Sequence, residues 1–308
     1  MNRTTKLLAG SLLLLGPSLA STPDEDRASL ASLLDAALES CCAAETCSDE
    51  GGCMAPCDAC ETGACNTSHV SPPEAFVKAV TKTPYAFSEA RPLIEARFLA
   101  EDAADGDRAL LVGMLTWCKG DDVVACGERL FEAEPASFTS DHVLAFAAQG
   151  SRTFLADLAG RAESGEVRPC AYFALEGEDD RLRKTARKTL ERVAKAREVS
   201  AETLADQLLA AHALAQVENA EPLTDLRTRI HAAVIAALDG GEVDLARDMA
   251  LIAEYFARLG KVGKGGPYGK TLGLSHMGFE MRVHCTSRSK EVATADAVFE
   301  LIERITPM

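Results

Sequence analysis

Apolar residues recur with helical spacing along most of the chain after residue 91, and this pattern constrains the fold more than any other feature. Intervals of three and four residues place such side chains on one face of a helix. The clearest stripes are Leu223, Leu226, Ile230, Val234 and Leu238, and then Leu245, Met249, Ile252, Phe256 and Leu259. The sequence therefore predicts an all-α fold that is helical, without a sheet, from Ser71 to Leu259.

The expected helices are short and closely spaced. Gly, Asp or Pro ends each stripe, as is typical of helix termini. Only 5% of the residues are aromatic, a composition that favours helix-on-helix packing over a β-sandwich. We expect helices near residues 92–104, 107–118, 121–133, 140–148, 151–161, 169–176, 179–197, 201–218, 222–239 and 242–259.

One segment resembles a known helical repeat. Within residues 168–197, an acidic turn precedes Leu182-Arg183, and Ala186, Thr189 and Leu190 follow. This order resembles the second helix of a HEAT-type repeat. A looser match runs from Asp239 to Ile252, and Arg91-Pro92 and Arg168-Pro169 begin two similar segments. The resemblance implies an α-solenoid-like array of helical hairpins, and a compact, non-repetitive helical domain is the alternative.

The C-terminal part departs from this pattern. Lys261 to Gly278 is rich in glycine and is expected to form a loop. Phe279, Met281, Val283 and Cys285 alternate with polar residues, which predicts a short extended segment near 279–285. A last helix is expected from about Ser289.

The N-terminus has the layout of a secretory signal peptide. Arg3 and Lys6 precede the short apolar run of residues 7–15, and small residues precede Ala20. We expect residues 1–20 to be removed on export to the periplasm or the extracellular space. The remaining organisation is then an N-terminal helix with a cysteine-rich loop (21–70), a helical array (71–260) and a C-terminal segment (261–308).

Seven of the eleven cysteines lie within 25 residues, and in an exported protein the default for them is disulfide formation. Cys118 and Cys126 flank one tight turn, so they are expected to pair. Cys170 and Cys285 form the second expected pair. Because the cluster holds an odd number, at least one of its cysteines must remain free, bind a metal or bridge to another chain. The cluster comprises Cys41, Cys42, Cys47, Cys53, Cys57, Cys60 and Cys65.

A metal site is the alternative use of this cluster. Cys57, Cys60, Cys65 and His69 supply four ligands within 13 residues, the number that tetrahedral zinc requires. The arrangement resembles a zinc knuckle with its histidine and last cysteine exchanged. A thiol-redox role of the segment Cys41–Cys65 belongs to the same hypothesis.

The net charge limits the partners. It is −15 for the whole chain, and loss of residues 1–20 removes two basic residues and no acid. Such a charge disfavours nucleic acid and anionic lipid as partners, and no membrane span is expected in the mature chain. Glu178 to Arg197 is an exception with eight basic residues. It is either a solvated helix face or a docking face for an acidic partner.

No catalytic set is recognisable in the sequence: there is no HExxH, no defensible Ser/His/Asp combination and no paired-carboxylate motif. No cofactor is expected unless the cluster binds zinc. The first hypothesis is an exported, non-catalytic helical scaffold that is stapled by disulfides and binds another protein. The alternative is a metal-binding or thiol-redox protein that acts through Cys41–Cys65.

Overall fold

The structure is a computed structural model that describes residues 23–38, 47–48, 52–53, 72–81, 84–217, 220–259 and 270–305. The predicted signal peptide lies outside these residues, as do Cys41, Cys42, Cys57, Cys60, Cys65 and His69.

Within these ranges the chain forms fourteen α-helices, one 3₁₀ turn and one pair of two-residue strands. β1 (Cys47–Ser48) and β2 (Gly52–Cys53) are antiparallel, and the 3₁₀ turn is Pro135–Ser137. The helices are α1 (Pro23–Leu38), α2 (Pro72–Thr81), α3 (Pro84–Phe98), α4 (Asp105–Thr116), α5 (Asp121–Ala133), α6 (Ser140–Ala148), α7 (Arg152–Ser164), α8 (Val167–Glu176), α9 (Asp180–Ala194), α10 (Ala201–Val217), α11 (Glu221–Asp239), α12 (Val243–Leu259), α13 (Lys270–Ser289) and α14 (Ala295–Ile305).

The predicted all-α architecture is confirmed for the described part of 71–259. Local sequence explains the helix ends: the Ser151 side chain caps α7, and Gly165 ends it with a positive φ of 96°. Several helices that follow one another in the chain pack together, with α6 on α7, α8 on α9 and α11 on α12. One continuous hydrophobic core extends from Leu30 in α1 to Ile302 in α14.

The array does not continue as a linear stack to the C-terminus. α13 packs against α6 and α8 as well as against its neighbour α12. The last long helix therefore returns to the middle of the molecule, which closes one side of the array.

The prediction of an extended segment near 279–285 is wrong, because these residues lie inside α13. Part of the predicted loop is also helical, since α13 begins at Lys270. The alternation of polar and apolar residues was compatible with a second pattern. Leu274, Met277, Met281 and Cys285 recur at intervals of three and four, and these residues pack on the core.

The predicted helix start at Arg91-Pro92 is also wrong. Pro92 lies inside α3, which begins at Pro84. The second Arg-Pro pair does lie in the first turn of a helix, α8. None of the helices that the structure describes is both long and apolar enough to cross a membrane.

Candidate functional site

The helix α9 combines a small apolar face with a long cationic face. Asp179 caps it by accepting a hydrogen bond from the backbone N–H of Leu182 at 2.9 Å. Ala186, Leu190 and Ala194 are buried, because α9 packs against α8 and α10 along this side. The opposite side of α9 therefore faces solvent.

Five basic side chains form one line along this exposed side. They follow one another at intervals of three or four residues, which places them on a single stripe of the helix surface. All are exposed, and within the described ranges none of them forms an ion pair. The residues of this cationic stripe are Arg181, Lys184, Lys188, Arg192 and Lys195.

Contacts from neighbouring helices hold the stripe in place. Arg229 of α11 donates to the carbonyl oxygen of Ala194 at 2.6 Å, and also to that of Ala196. The Gln207 side chain of α10 donates to the carbonyl oxygen of Glu198 at 2.6 Å. The C-terminal end of α9 and the connection to α10 are thus fixed, so the five cations project from a firmly supported helix.

The stripe is a local reversal of the charge of the molecule. The whole chain carries −15, whereas this face carries five positive charges without a neutralising partner in contact. At physiological ionic strength charges act over only about 8 Å. A ligand that contacts α9 therefore experiences the stripe more strongly than the distant acidic residues, and such a surface can bind carboxylates or other anionic groups of a partner.

A second polar cluster lies where α6, α8 and α10 meet. Arg168 forms an ion pair with Asp141, and both side chains are about three-quarters buried. A cleft of about 280 Å³ adjoins this pair and is lined by Ser140, Glu166 and Asp206 among others. A Cβ at Gly278 of α13 would lie only 2.6 Å from a guanidinium nitrogen of Arg168, so α13 closes tightly over this arginine.

The surrounding protein shifts the pKa values of the two carboxyl groups in this second cluster. Burial raises the pKa of Asp141 above its ordinary value, although Arg168 and Arg282 act in the opposite direction. The protein atoms around Asp206 and the charge of Asp141 also raise the pKa of Asp206, while Arg168 lowers it. Asp206 is nevertheless exposed at the rim of the cleft. The balanced Asp141–Arg168 pair is mainly a structural junction between helices.

Sequence reasoning singled out Arg168 only as a helix start. Its role depends on Asp141 and Gly278, which are distant in sequence, and no local pattern links these residues. The buried ion pair was therefore missed. The only usable signal was an arginine in the first turn of an otherwise apolar helix.

The four cysteines outside the N-terminal cluster lie at separate places and are free thiols in the structure. Cys118 donates to the carbonyl oxygen of Met114, and Cys170 to that of Ala162. Cys126 lies beside Glu95, and Cys285 is near Asp248. Neither Cys118–Cys126 nor Cys170–Cys285 is therefore bonded in the structure, and their oxidation in exported protein stays a prediction.

Burial makes these thiols poor nucleophiles. It raises the pKa of Cys118 and of Cys126 to about 12, and that of Cys170 and of Cys285 to about 11. Because the thiolate is the reactive form, none of the four is activated for redox chemistry.

Two of the histidines that the structure describes occupy structural positions. His212 is buried with its ring 5.6 Å from that of Phe256. His231 pairs with Glu303 at 2.8 Å. The described part of the chain contains no group of three or more His, Cys, Asp or Glu side chains that could hold a metal ion. Cys57, Cys60, Cys65 and His69 lie outside that part.

Comparisons with known proteins give no further identification. No family model matches the chain. No curated protein and no solved structure matches it.

Proposed function

We propose that the protein is an exported, non-catalytic scaffold of HEAT-like helical hairpins that binds an acidic partner protein through the cationic stripe of α9. The single observation that supports this function most is the stripe itself, with five exposed and unpaired cations in line on a protein of net charge −15. Export and disulfide formation in the N-terminal cluster are parts of the same proposal.

The arrangement suits recognition better than general solubility. An acidic protein could gain solubility from more acidic residues, whereas clustered cations weaken its self-repulsion. Lysine and arginine at successive turns match a helix or strand that presents carboxylates at similar intervals. Electrostatic contacts of this kind speed association and decline steeply with salt.

A charge reversal on the stripe tests the proposal. The probe is a fluorescein-labelled peptide of ten glutamates, and its binding to the protein is followed by fluorescence anisotropy in 50 mM and 300 mM salt. We expect Lys184→Glu/Lys188→Glu to weaken binding at least tenfold, because two attractive charges become repulsive. Binding to the unsubstituted protein is expected to weaken with salt.

Arg152→Glu/Lys290→Glu is the matched control. Both residues are exposed, and the double substitution changes the net charge by the same amount at other places on the surface. The control should bind the peptide within twofold of the unsubstituted protein. An equal loss of peptide affinity in the two variants would show that binding depends only on the net charge of the protein. This result would contradict a docking surface on α9. Cross-linking in the exported fraction with the same variants then extends the test to the natural partner.

The alternative function depends on Cys41–Cys65. Its support is the spacing of Cys57, Cys60, Cys65 and His69, together with the raised pKa values of the four thiols elsewhere. Metal analysis of untagged protein separates the two hypotheses. Stoichiometric zinc would favour the metal-binding function, and a metal-free sample with oxidised cysteines would favour the scaffold.

A further inference from the structure

Three arginines converge on one buried carboxylate where α12, α13 and α14 meet. Glu254 of α12 is only 1% exposed. Its Oε1 accepts hydrogen bonds from Nη2 of Arg258 at 2.6 Å and from Nη2 of Arg304 at 3.2 Å. Arg288 of α13 donates to both carboxylate oxygens, at 3.3 and 3.4 Å. His284 Nε2 lies 3.2 Å from Oε2. These five residues form the Glu254 cluster.

Positive charge exceeds negative charge in this cluster. The three guanidinium groups are permanently charged. In the described ranges, the carboxylates paired with them are Glu254 and Glu291, and Glu291 contacts Arg288. Burial, together with the charges of Arg258 and Arg288, lowers the pKa of His284 below its ordinary value of 6.5 although Glu254 raises it, so this histidine is mainly neutral at pH 7. One positive charge is therefore left over.

The surplus lies on the two arginines that solvent can reach. The side chains of Arg258 and Arg304 are 57% and 62% exposed, whereas that of Arg288 is 22% exposed. Each guanidinium has five N–H donors. The carboxylate of Glu254, which three arginines share, can accept only a few of these hydrogen bonds, so most of the donors are not used by it. Arg258 and Arg304 both donate to Oε1, so their guanidinium groups lie close together, and more than half of each side chain is exposed.

The guanidinium groups of Arg258 and Arg304 are suited to binding a second anion. Arginine binds carboxylate, phosphate and sulfate through two parallel hydrogen bonds, and a ligand between two arginines also relieves their mutual repulsion. We propose that Arg258, Arg288 and Arg304 form an oxyanion-binding site that takes a phosphate, sulfate or carboxylate group of a small molecule at the surface above Glu254. The site is separate from α9 and does not depend on the proposed scaffold function.

Isothermal titration calorimetry with inorganic phosphate, sulfate and succinate tests this site on the full chain. Sodium chloride at matched ionic strength gives the background in each titration. We expect at least one of the three anions to bind saturably at one site, and the tightest of them identifies the ligand class. Heats no larger than those of chloride for all three anions would overturn the proposal.

Substitutions then locate the binding. Arg304→Gln and Arg258→Gln should each weaken the tightest anion at least fivefold. Because both side chains are largely exposed, the variants should unfold near the temperature of the unsubstituted protein. Arg247→Gln is the control, since it removes one positive charge from the same helix but outside the cluster, where Arg247 pairs with Asp244. Equal weakening in all three variants would overturn the proposal.

Glu254→Gln gives a readout that a purely structural cluster would not provide. The substitution removes the internal carboxylate that competes for the arginines, so anion binding should become at least threefold tighter. Unchanged affinity in a folded Glu254→Gln protein would contradict a shared site. If this variant does not fold, the two arginine variants still decide the matter.

Discussion

At the scale of single residues, Glu254 is the one acidic residue that is almost completely buried among the residues that the structure describes. A buried carboxylate is costly unless several donors compensate it, and here donors from three helices do so. Although Arg258 and Arg304 are individually weak partners because they are exposed, Arg288 and His284 are well shielded. Glu254 thus fixes α13 against α12, mainly through Arg288 and His284.

Glu254→Gln should destabilise the protein at neutral pH. A hydrogen bond to a charged group contributes about 1.5–3 kcal/mol, so we expect the free energy of unfolding to fall by about 2 kcal/mol. Chemical denaturation at pH 7 measures this difference. A change of less than about 0.5 kcal/mol, the range of ordinary surface substitutions, would contradict this role of Glu254.

The same difference should depend on pH in a defined direction. Burial raises the pKa of Glu254, but Arg288, Arg258 and His284 together lower it by more. The resulting pKa lies below the ordinary value of 4.5. A carboxylate whose pKa is lower in the folded state stabilises the protein above its unfolded pKa, and this stability is lost as the pH falls through the folded pKa. The difference in free energy of unfolding between the unsubstituted protein and Glu254→Gln should therefore have its maximum value at pH 7 and decrease below about pH 4.5. An increase of this difference at acidic pH would contradict the lowered pKa of Glu254 in the folded protein.

At the scale of helices, one glycine in α5 and one in α7 differ sharply in their surroundings. Gly127 of α5 is buried, and a Cβ there would lie 2.8 Å from the ring of Phe146. That ring cannot easily move, because its centroid lies 4.7 Å from the ring centroid of Phe154. Gly160 of α7 is exposed, has no atom within 4 Å of its Cβ position and has no positive φ.

Gly127→Ala and Gly160→Ala should consequently have opposite effects. The first overpacks the contact between α5 and α6 and should cost about 1–3 kcal/mol. The second should stabilise α7 by about 0.5–1 kcal/mol, because alanine favours the helix and restricts the unfolded chain. Thermal unfolding of the two variants provides the comparison. A Gly127→Ala protein as stable as Gly160→Ala would show that Phe146 can yield.

Helices were predictable from the sequence where an apolar stripe ended at a helix-terminating residue such as Gly, Asp or Pro. α11 and α12 follow their stripes to within one residue of the expected bounds. Prediction failed at α13 because the apolar residues in 279–285 fit both the alternating spacing of a strand and the three- and four-residue spacing of a helix. Packing against α6 and α8 favours the helix. The cationic stripe of α9 was visible as a basic segment. The Glu254 cluster was not, because its residues come from three helices and local spacing does not connect them.

At the scale of the whole molecule, the return of α13 changes how the array is held together. The sequence predicted a link between the C-terminal segment and the middle of the chain through Cys170–Cys285. The structure makes that connection by packing α13 on α6 and α8, with both thiols free. Arg168 lies at this junction, between Asp141 of α6 and Gly278 of α13. Stability in the middle should therefore depend on the C-terminal helix, unlike in a linear repeat stack, where each unit depends on its neighbours.

Met277→Ala tests this dependence. Met277 is 2% exposed in α13, and its truncation should cost about 2–5 kcal/mol. We expect amide hydrogen exchange in α6 to accelerate at least tenfold, although α6 precedes α13 by more than a hundred residues, because α13 covers it. Leu226→Ala in α11 is the matched control, since Leu226 is equally buried and α11 makes no extensive contact with α6. Acceleration in α12 and α14 with α6 unchanged would mean that the molecule behaves as a linear stack and that the closure by α13 adds little to its stability.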